Sequence, residues 1–536
     1  MREFREIFND LEEISKYTNF LEVVTYLSHI NLNSNIETIN KRDFSILLNE
    51  NEITFLFGLW LKNFNNNNST TINNIITEGN KVHSLMDELH LTFHKDFKIS
   101  KMKNLEDYHK YQRNNSNILK EIIFYSGTGA YDFQYMDYFE KKYELDQNWM
   151  KNKYDIELID IVNLYTHIKI GFNIKLNKKI YAAEDILDLY TLDFNSYLFN
   201  TNKNYKKILD LFCCNIDNNN PNNLFNDIGD FNDFKVKPII KRENKYIIPL
   251  PSLLATAFYE NFFYWMLADK DYEKKALNNR GKVAEKIVFD LLNEKFENNN
   301  VYKNILVKEN KEITITDLDI LLQKEDKLVI FQVKSKKLTQ LSKEGDIAKY
   351  DKDFNQAISQ AYDQAKKPYY HLYNQKSKLF KSDGTEVKIE RPNVIYSICI
   401  VLDSFPSLNS HIRLFYTISK DAPIALSIFD LDTMIKYLNT FDKLLSYLEI
   451  RERMMGKLVS EEEISLVQAF ISGNLKNDSE YDFFYFDNTF AQQFDKTFYL
   501  PLVDKYYCKF FQLNDNIKSS DYCFCGSGRL FENCCK

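Results

Sequence analysis

The chain has 536 residues, 44% of them hydrophobic and 15% aromatic, with only 13 glycines and 9 prolines to punctuate it. Such a composition excludes a disordered chain and a turn-dense β-sandwich, and a prior of roughly 100–200 residues per domain gives about three or four units. The formal net charge of −7 excludes a non-specific nucleic-acid coat, which would be strongly basic, but not an enzyme with a locally positive groove.

Residues 1–245 read as mostly helical, with apolar residues at helical intervals in 20–27 and 158–165. The opening Met1-Arg2-Glu3-Phe4-Arg5-Glu6 is acidic where a signal peptide would be apolar, so a cytoplasmic location is expected. Asn-rich connectors at 65–68 and 218–223 read as loops. The Cys213-Cys214 pair has no second pair nearby and reads as structural. Nothing in this region spells a chemistry, and it is read as an all-α accessory or recognition domain. The most apolar long stretch, 251–268, contains Glu260 and Asn261 and reads as a buried helix; no membrane span is expected.

The texture changes near residue 270. A helix is predicted over 272–296, with Val283, Ala284, Ile287, Val288, Leu291 and Leu292 along one face. Strands follow at 301–307, 313–322 and 328–333, the last two joined by a hairpin-like connector at 323–327. A Gln-rich helix over 354–367, a buried strand over 394–402 and a further strand at 412–417 complete an αβββαβ order, which implies a mixed sheet with helices on its faces. An apolar segment at 424–429 opens another helical stretch, with helices at 430–449 and 461–471, the latter capped by Ser460. The expected domains are therefore 1–245, 246–420, 421–515 and a cysteine-rich end at 519–536.

The sharpest internal pattern is Thr316-Asp317-Leu318-Asp319, then Phe331-Gln332-Val333-Lys334. Strand alternation places Gln332 and Lys334 on one face and Val333 on the other. Asp319 lies 13 positions before Gln332, where an antiparallel hairpin brings it alongside. A carboxylate, a side-chain oxygen and an ammonium then meet at a sheet edge, with Glu285 on the preceding helix as a further carboxylate. Phosphodiester hydrolysis uses such parts, namely oxygen ligands for Mg²⁺ and a cation to orient water. The same residues also suit an exposed cross-strand ion pair worth under about 1 kcal/mol. Lys336 and Lys337 beyond them suit either phosphate binding or a solvated basic edge. Gln356 and Gln360, one helical turn apart, suit the site or an ordinary helix surface.

This pattern resembles the PD-(D/E)xK nuclease superfamily, in its Mrr-type and nuclease-related-domain branches, over roughly residues 272–420. Gly281-Lys282-Val283-Ala284-Glu285 matches the family's helix, Asp317 and Asp319 its acidic strand, and Gln332-Val333-Lys334 its E/Q-x-K strand. Gln332 replaces the more common Glu, and no Pro-Asp opens the strand. The resemblance implies a restriction-endonuclease-like α/β core flanked by mostly α-helical domains. It implies Mg²⁺ or Mn²⁺ held by Asp319, Gln332 and the Val333 carbonyl, with Glu285 as a further catalytic carboxylate and Lys334 orienting the attacking water. The implied activity is metal-dependent cleavage of nucleic acid, DNA in the first place, in restriction or anti-phage defence. Cutting both strands of a duplex would favour a homodimer.

Four of the 8 cysteines fall in the last fourteen residues, as Cys523-Phe524-Cys525-Gly526-Ser527-Gly528 and then Cys534-Cys535. Two thiol pairs about a Gly-Ser-Gly turn suit one tetrahedral site of four cysteines, and thiolates suit Zn²⁺ in a closed, structural shell. The spacing resembles the SEC-C motif, whose members serve as small interaction knobs for proteins or ribosomes. Two further functions stay open beside the nuclease: an inactive nuclease fold that binds nucleic acid, and an adaptor docking through this knob on a translocase, chaperone or ribosome. No phosphate-binding G-x-x-x-x-G-K-[ST] loop is present.

Overall fold

A computed structural model describes residues 2–32, 47–64, 70–93, 105–127, 129–178, 182–195, 202–216, 222–296, 301–310, 313–416, 421–475, 484–486, 490, 491, 494, 517–523, 525 and 528–534. The 65–68 connector, most of the 218–223 connector and Cys535 lie outside these residues. Two compact units form: Met1–Phe97, Tyr131–Ala276 and Asp495–Lys536 make one, Lys98–Ala130 and Leu277–Phe494 the other.

The first unit is mainly helical, as its 3.6-residue apolar period dictates. It also holds a small antiparallel sheet that the sequence pattern did not reveal, in the order Thr191–Asp193, Lys245–Ile247, Ile240–Arg242. These strands are three residues each, too short for a period of two to register. Helix Pro251–Ala268 starts with proline in its first turn, where no N–H is needed. It buries Leu253, Leu254, Phe258, Phe262 and Met266. Its rings meet those of helix Asp132–Tyr143, with Tyr135 against Tyr259 at 5.2 Å and Phe139 against Phe262 at 6.0 Å. Its apolar length is therefore consumed by packing, and among the described residues no helix is long and apolar enough to cross a membrane. Cys213 donates its thiol to the Leu209 carbonyl, and burial pushes both its thiol and that of Cys214 up to about 12, as suits structural cysteines.

The second unit is built on a seven-stranded mixed sheet. Its elements in chain order are α1 (Leu105–Arg113), α2 (Ser116–Tyr125), α3 (Glu273–Phe296), β1 (Val301–Lys308), β2 (Thr314–Lys324) and β3 (Lys327–Lys334). A helical stretch α4 follows (Ile347–Phe354, a π-turn Asn355–Ser359, and Gln360–Lys366), then β4 (Lys378–Phe380), β5 (Glu386–Val387) and β6 (Val394–Val401). The last are α5 (Leu408–Tyr416), β7 (Ile424–Ser427), α6 (Ile428–Tyr437), α7 (Phe441–Arg453) and α8 (Glu463–Ile471). The strand order is β7-β6-β3-β2-β1-β4-β5, parallel from β7 to β3 and antiparallel from β3 to β5. The molecule is thus mixed α/β with helices beside the sheet.

Three local expectations are corrected. Residues 412–416 are helical where a strand was expected over 412–417, whose last residue lies outside the described residues; Ile412 and Phe415 lie on α5, which begins upstream at Leu408. A crossover is required there, because β6 and β7 pair in parallel and cannot be joined by a hairpin. Phe415 instead stacks on Phe354 of α4, ring centroids 3.9 Å apart. The helix foreseen over 430–449 is two helices, α6 and α7. Ser460 ends a short strand paired with Phe484–Phe486 and does not cap α8.

The hairpin between β2 and β3 turns on Glu325 and Asp326, and Lys324 pairs with Lys327. Glu325 takes the left-handed backbone the tight turn needs, with φ +54°. One core cluster gathers Leu119 and Ile123 of α2 with Tyr350, Phe354, Ile358, Cys399 and Ala425. A second gathers Ile305, Val307, Leu318, Leu328 and Ile330 from β1 to β3 with Leu379 and Ile395.

Candidate active site and thiol cluster

The Cα register between β2 and β3 runs from the hairpin to Ile320 opposite Phe331. Past that point the side chain of Gln332 bridges the strands. Its Oε1 accepts from the Asp319 N–H at 3.2 Å, and its Nε2 donates to the Asp317 carbonyl at 2.9 Å. Gln332 is fully buried, and on its other edge it lies in register with Cys399 of β6. The Val333 N–H donates to Asp319 Oδ2 at 2.7 Å, leaving Oδ1 as an acceptor. In an extended strand the N–H and C=O of one residue point to the same edge, so the Val333 carbonyl faces the side from which Asp319 approaches.

Lys334 ends β3 and donates to Gln364 Oε1 at 3.0 Å. Gln364 in turn donates through Nε2 to Asp317 Oδ1 at 2.8 Å and to the Asp317 carbonyl at 3.2 Å. One amide thus holds the ammonium and the outer carboxylate. Burial pushes the Asp319 carboxyl up to about 6, against the Val333 N–H and the charge of Lys334, while Glu285 and Asp317 raise it further. Burial also raises Glu285, with Lys334 opposing and Asp317 assisting. Three carboxylates from α3 and β2 and one ammonium from β3 therefore act on one another electrostatically. They are not collapsed on one point: among the described residues, three metal-capable side chains with ligand atoms within 4.8 Å of one another occur at Cys523, Cys525 and Cys534 and nowhere else.

Lys336 pairs with the buried Asp353, Nζ to Oδ1 2.8 Å, and Asp353 also accepts from the Thr339 N–H and the Ser342 hydroxyl. Lys337 lies 3.7 Å from Asp403 Oδ2. Asp403 is buried and forms an ion pair with Arg280, whose Nε donates to the Ser335 carbonyl at 3.1 Å. Arg280 therefore joins α3 to the end of β3 and the loop after β6, a role sequence reasoning missed. The π-turn within α4 separates Gln356 from Gln364, so the three glutamines do not share one stripe. Gln364 bonds to the site, whereas Gln356 is half-buried, Gln360 is exposed, and neither bonds to it.

The other candidate is the C-terminal thiol cluster. Cys523 and Cys525 are buried and Cys534 half-buried. Cys525 Sγ and Cys534 Sγ are 3.5 Å apart. The chain reverses through a bridge between Tyr522 and Leu530, the Cys523 N–H donating to the Arg529 carbonyl at 2.6 Å. A short helical turn, Phe531–Asn533, then delivers Cys534. Three converging sulfurs, two of them buried, can hold a metal ion.

No family model matches the chain, no curated protein matches it, and no solved structure matches it.

Proposed function

We propose that the second unit carries a metal-dependent nuclease core of the PD-(D/E)xK kind, hydrolysing phosphodiester bonds of DNA in restriction or anti-phage defence. The observation that carries this reading is the set of Asp317 and Lys334 joined through Gln364 where β2 and β3 part, with Asp319 beside them, Glu285 in their field and burial pushing the Asp319 carboxyl up to about 6. Perturbed carboxylates beside a positioned lysine favour a reacting centre over a surface ion pair. Asp319 Oδ1, the Asp317 carboxylate and the Val333 carbonyl would hold Mg²⁺ or Mn²⁺, with Glu285 as a further ligand or proton acceptor. The metal, when bound, supplies Lewis acidity at the phosphoryl oxygen. Lys334, steadied by Gln364, orients water toward phosphorus and stabilises the charge that develops there.

A second reading has an observation of its own. Gln332 is neutral, and both ends of its amide are engaged by the backbone of β2. That leaves the metal to the carboxylates and suits a fold that binds nucleic acid without turnover. At the C-terminus we assign Zn²⁺ to Cys523, Cys525 and Cys534, with Cys535 as the fourth ligand expected from sequence. Their 3.5 Å sulfur contact is near the edge of about 3.8 Å expected for a tetrahedron with Zn–S bonds of about 2.3 Å.

Purified protein incubated with supercoiled plasmid, linear DNA and single-stranded RNA, with Mg²⁺, Mn²⁺ or EDTA, tests the nuclease. Metal-dependent cleavage should appear and fall by about a hundredfold or more in Lys334→Ala. Salt-sensitive binding without cleavage would favour the inactive fold. Undiminished cleavage by both Lys334→Ala and Asp319→Ala would remove the site assignment.

A further inference from the structure

The thiol cluster is anchored in the first unit by one close approach, at Gly528, and lies in the field of a buried lysine. Gly528 takes a left-handed backbone, φ +71°, and a Cβ at that position would lie 2.8 Å from Asp193 Cγ and 3.1 Å from its Oδ1. Asp193 ends the strand Thr191–Asp193, pairs with Lys245, and caps the following turn through the Asn195 N–H at 2.8 Å. Only glycine satisfies both the backbone conformation and the close approach. The lysine is Lys175, near the end of helix Leu158–Lys178. Its ammonium donates to the Thr191 carbonyl at 2.5 Å and to the Asp188 carbonyl at 3.4 Å, and it lies in the field of Cys525, Cys534 and Cys523.

Charge explains why a lysine should be placed there. A divalent ion held by four thiolates leaves a net charge of about −2, and burying an anion is costly without a cation beside it. Cys523 and Cys525 are 0% and 2% exposed, so water can supply little of the compensation on their side of the cluster. Metal loading requires thiolates and so creates the anion that Lys175 faces.

We propose that the C-terminal metal centre is a clasp: metal-held Cys523, Cys525 and Cys534 lock residues 517–534 onto the Thr191–Asp193 strand, with Lys175 as the cation outside the ligand shell and Gly528 as the point of closest approach. The inference rests on the metal reading of these thiols and goes beyond it. The metal then stabilises the corner of the first unit where helix Leu158–Lys178 meets the small sheet.

Metal content by mass spectrometry of the intact full-length chain comes first, followed by hydrogen exchange with and without a zinc chelator. One zinc per chain is expected. Its removal should speed exchange at 186–193 about tenfold or more, as well as at 517–534. Lys175→Met should bind one zinc but release it to chelator about tenfold faster. Gly528→Ala should keep its zinc and lose protection at 186–193. A chain without metal would overturn the metal reading and the clasp with it. Bound metal whose removal changes exchange at 517–534 alone, or a Lys175→Met protein that releases zinc at the wild-type rate, would overturn the clasp and leave the metal standing.

Discussion

Asp319 is held where two strands separate, and burial there acts on stability and on chemistry in opposite directions. Burial pushes its folded carboxyl up to about 6, against about 3.9 for an unfolded aspartate. The folded metal-free chain therefore binds the proton more tightly, and the stability this contributes is present below about pH 4 and lost as pH rises through about 6. Near neutral pH the ionised side chain is a cost that a functional site tolerates. Asp319→Asn keeps an acceptor for the Val333 N–H and removes the charge. It should raise the unfolding free energy at neutral pH by up to about 2–3 kcal/mol, with the gain shrinking toward pH 4, and should abolish cleavage. Urea unfolding across that pH range measures it, and an equal loss of stability at every pH would show that the carboxylate is not strained. The placement of Asp319, Gln332 and Lys334 was legible in the sequence, because a period of two and a hairpin connector suffice to bring them together. Arg280 was not, because a cation on a Lys-rich helix gives no sign that it will be buried against Asp403, some 120 residues later.

Helices and strands position what the residues do, and α4 shows how. A regular helix would put Gln356, Gln360 and Gln364 on one drifting stripe, but the π-turn at Asn355–Ser359 inserts extra chain and leaves Gln364 alone against Lys334 and Asp317. No periodicity argument sees such an insertion, since tertiary packing decides it. Gln364→Leu keeps the bulk and removes the amide. Cleavage should fall about ten- to a hundredfold as Lys334 and Asp317 lose their common support. An unchanged rate would reduce Gln364 to a surface amide. Arg280 is the corresponding tie between α3, β3 and the loop after β6. Arg280→Met leaves the buried Asp403 to the more distant Lys337, 3.7 Å away, so a loss of about 3–5 kcal/mol in chemical denaturation is expected. Adding Asp403→Leu should recover most of that loss, and a double variant as unstable as the sum of the singles would show that the two side chains act independently. The strand expected at 412–417 misread the same scale of structure: its aromatic and β-branched residues suit a strand, but parallel pairing of β6 and β7 demands a crossover there.

At the scale of the molecule, the second unit is assembled from two separated stretches of chain, Lys98–Ala130 and Leu277–Phe494. A reading that moves along the sequence sees the change of texture near 270 but not that a segment far upstream belongs to the same unit, since only long-range contacts carry that information. Those contacts are specific. Leu119 and Ile123 of α2 sit in the cluster formed by Tyr350, Phe354, Cys399 and Ala425, and each contributes about 1.5–3 kcal/mol by its burial. Arg113 of α1 forms a two-pronged ion pair with Asp351, at 3.2 and 3.0 Å, and lies 4.0 Å over the Phe415 ring that stacks on α4. A fragment of residues 277–494 lacks all of this and leaves an apolar face of α4 and β6 in water. Since whole domains are stable by only about 5–15 kcal/mol, the loss of two buried aliphatic side chains and one stacked cation is enough to remove cooperative folding. The fragment should bind a hydrophobic dye, lack near-ultraviolet circular dichroism and unfold without a sharp transition, while the same fragment carrying residues 98–130 through a flexible linker should regain all three native signatures. Cooperative unfolding of 277–494 alone at the stability of the longer protein would show instead that α1 and α2 merely rest on a core already complete, and would move the minimal folding unit to the sheet and its later helices.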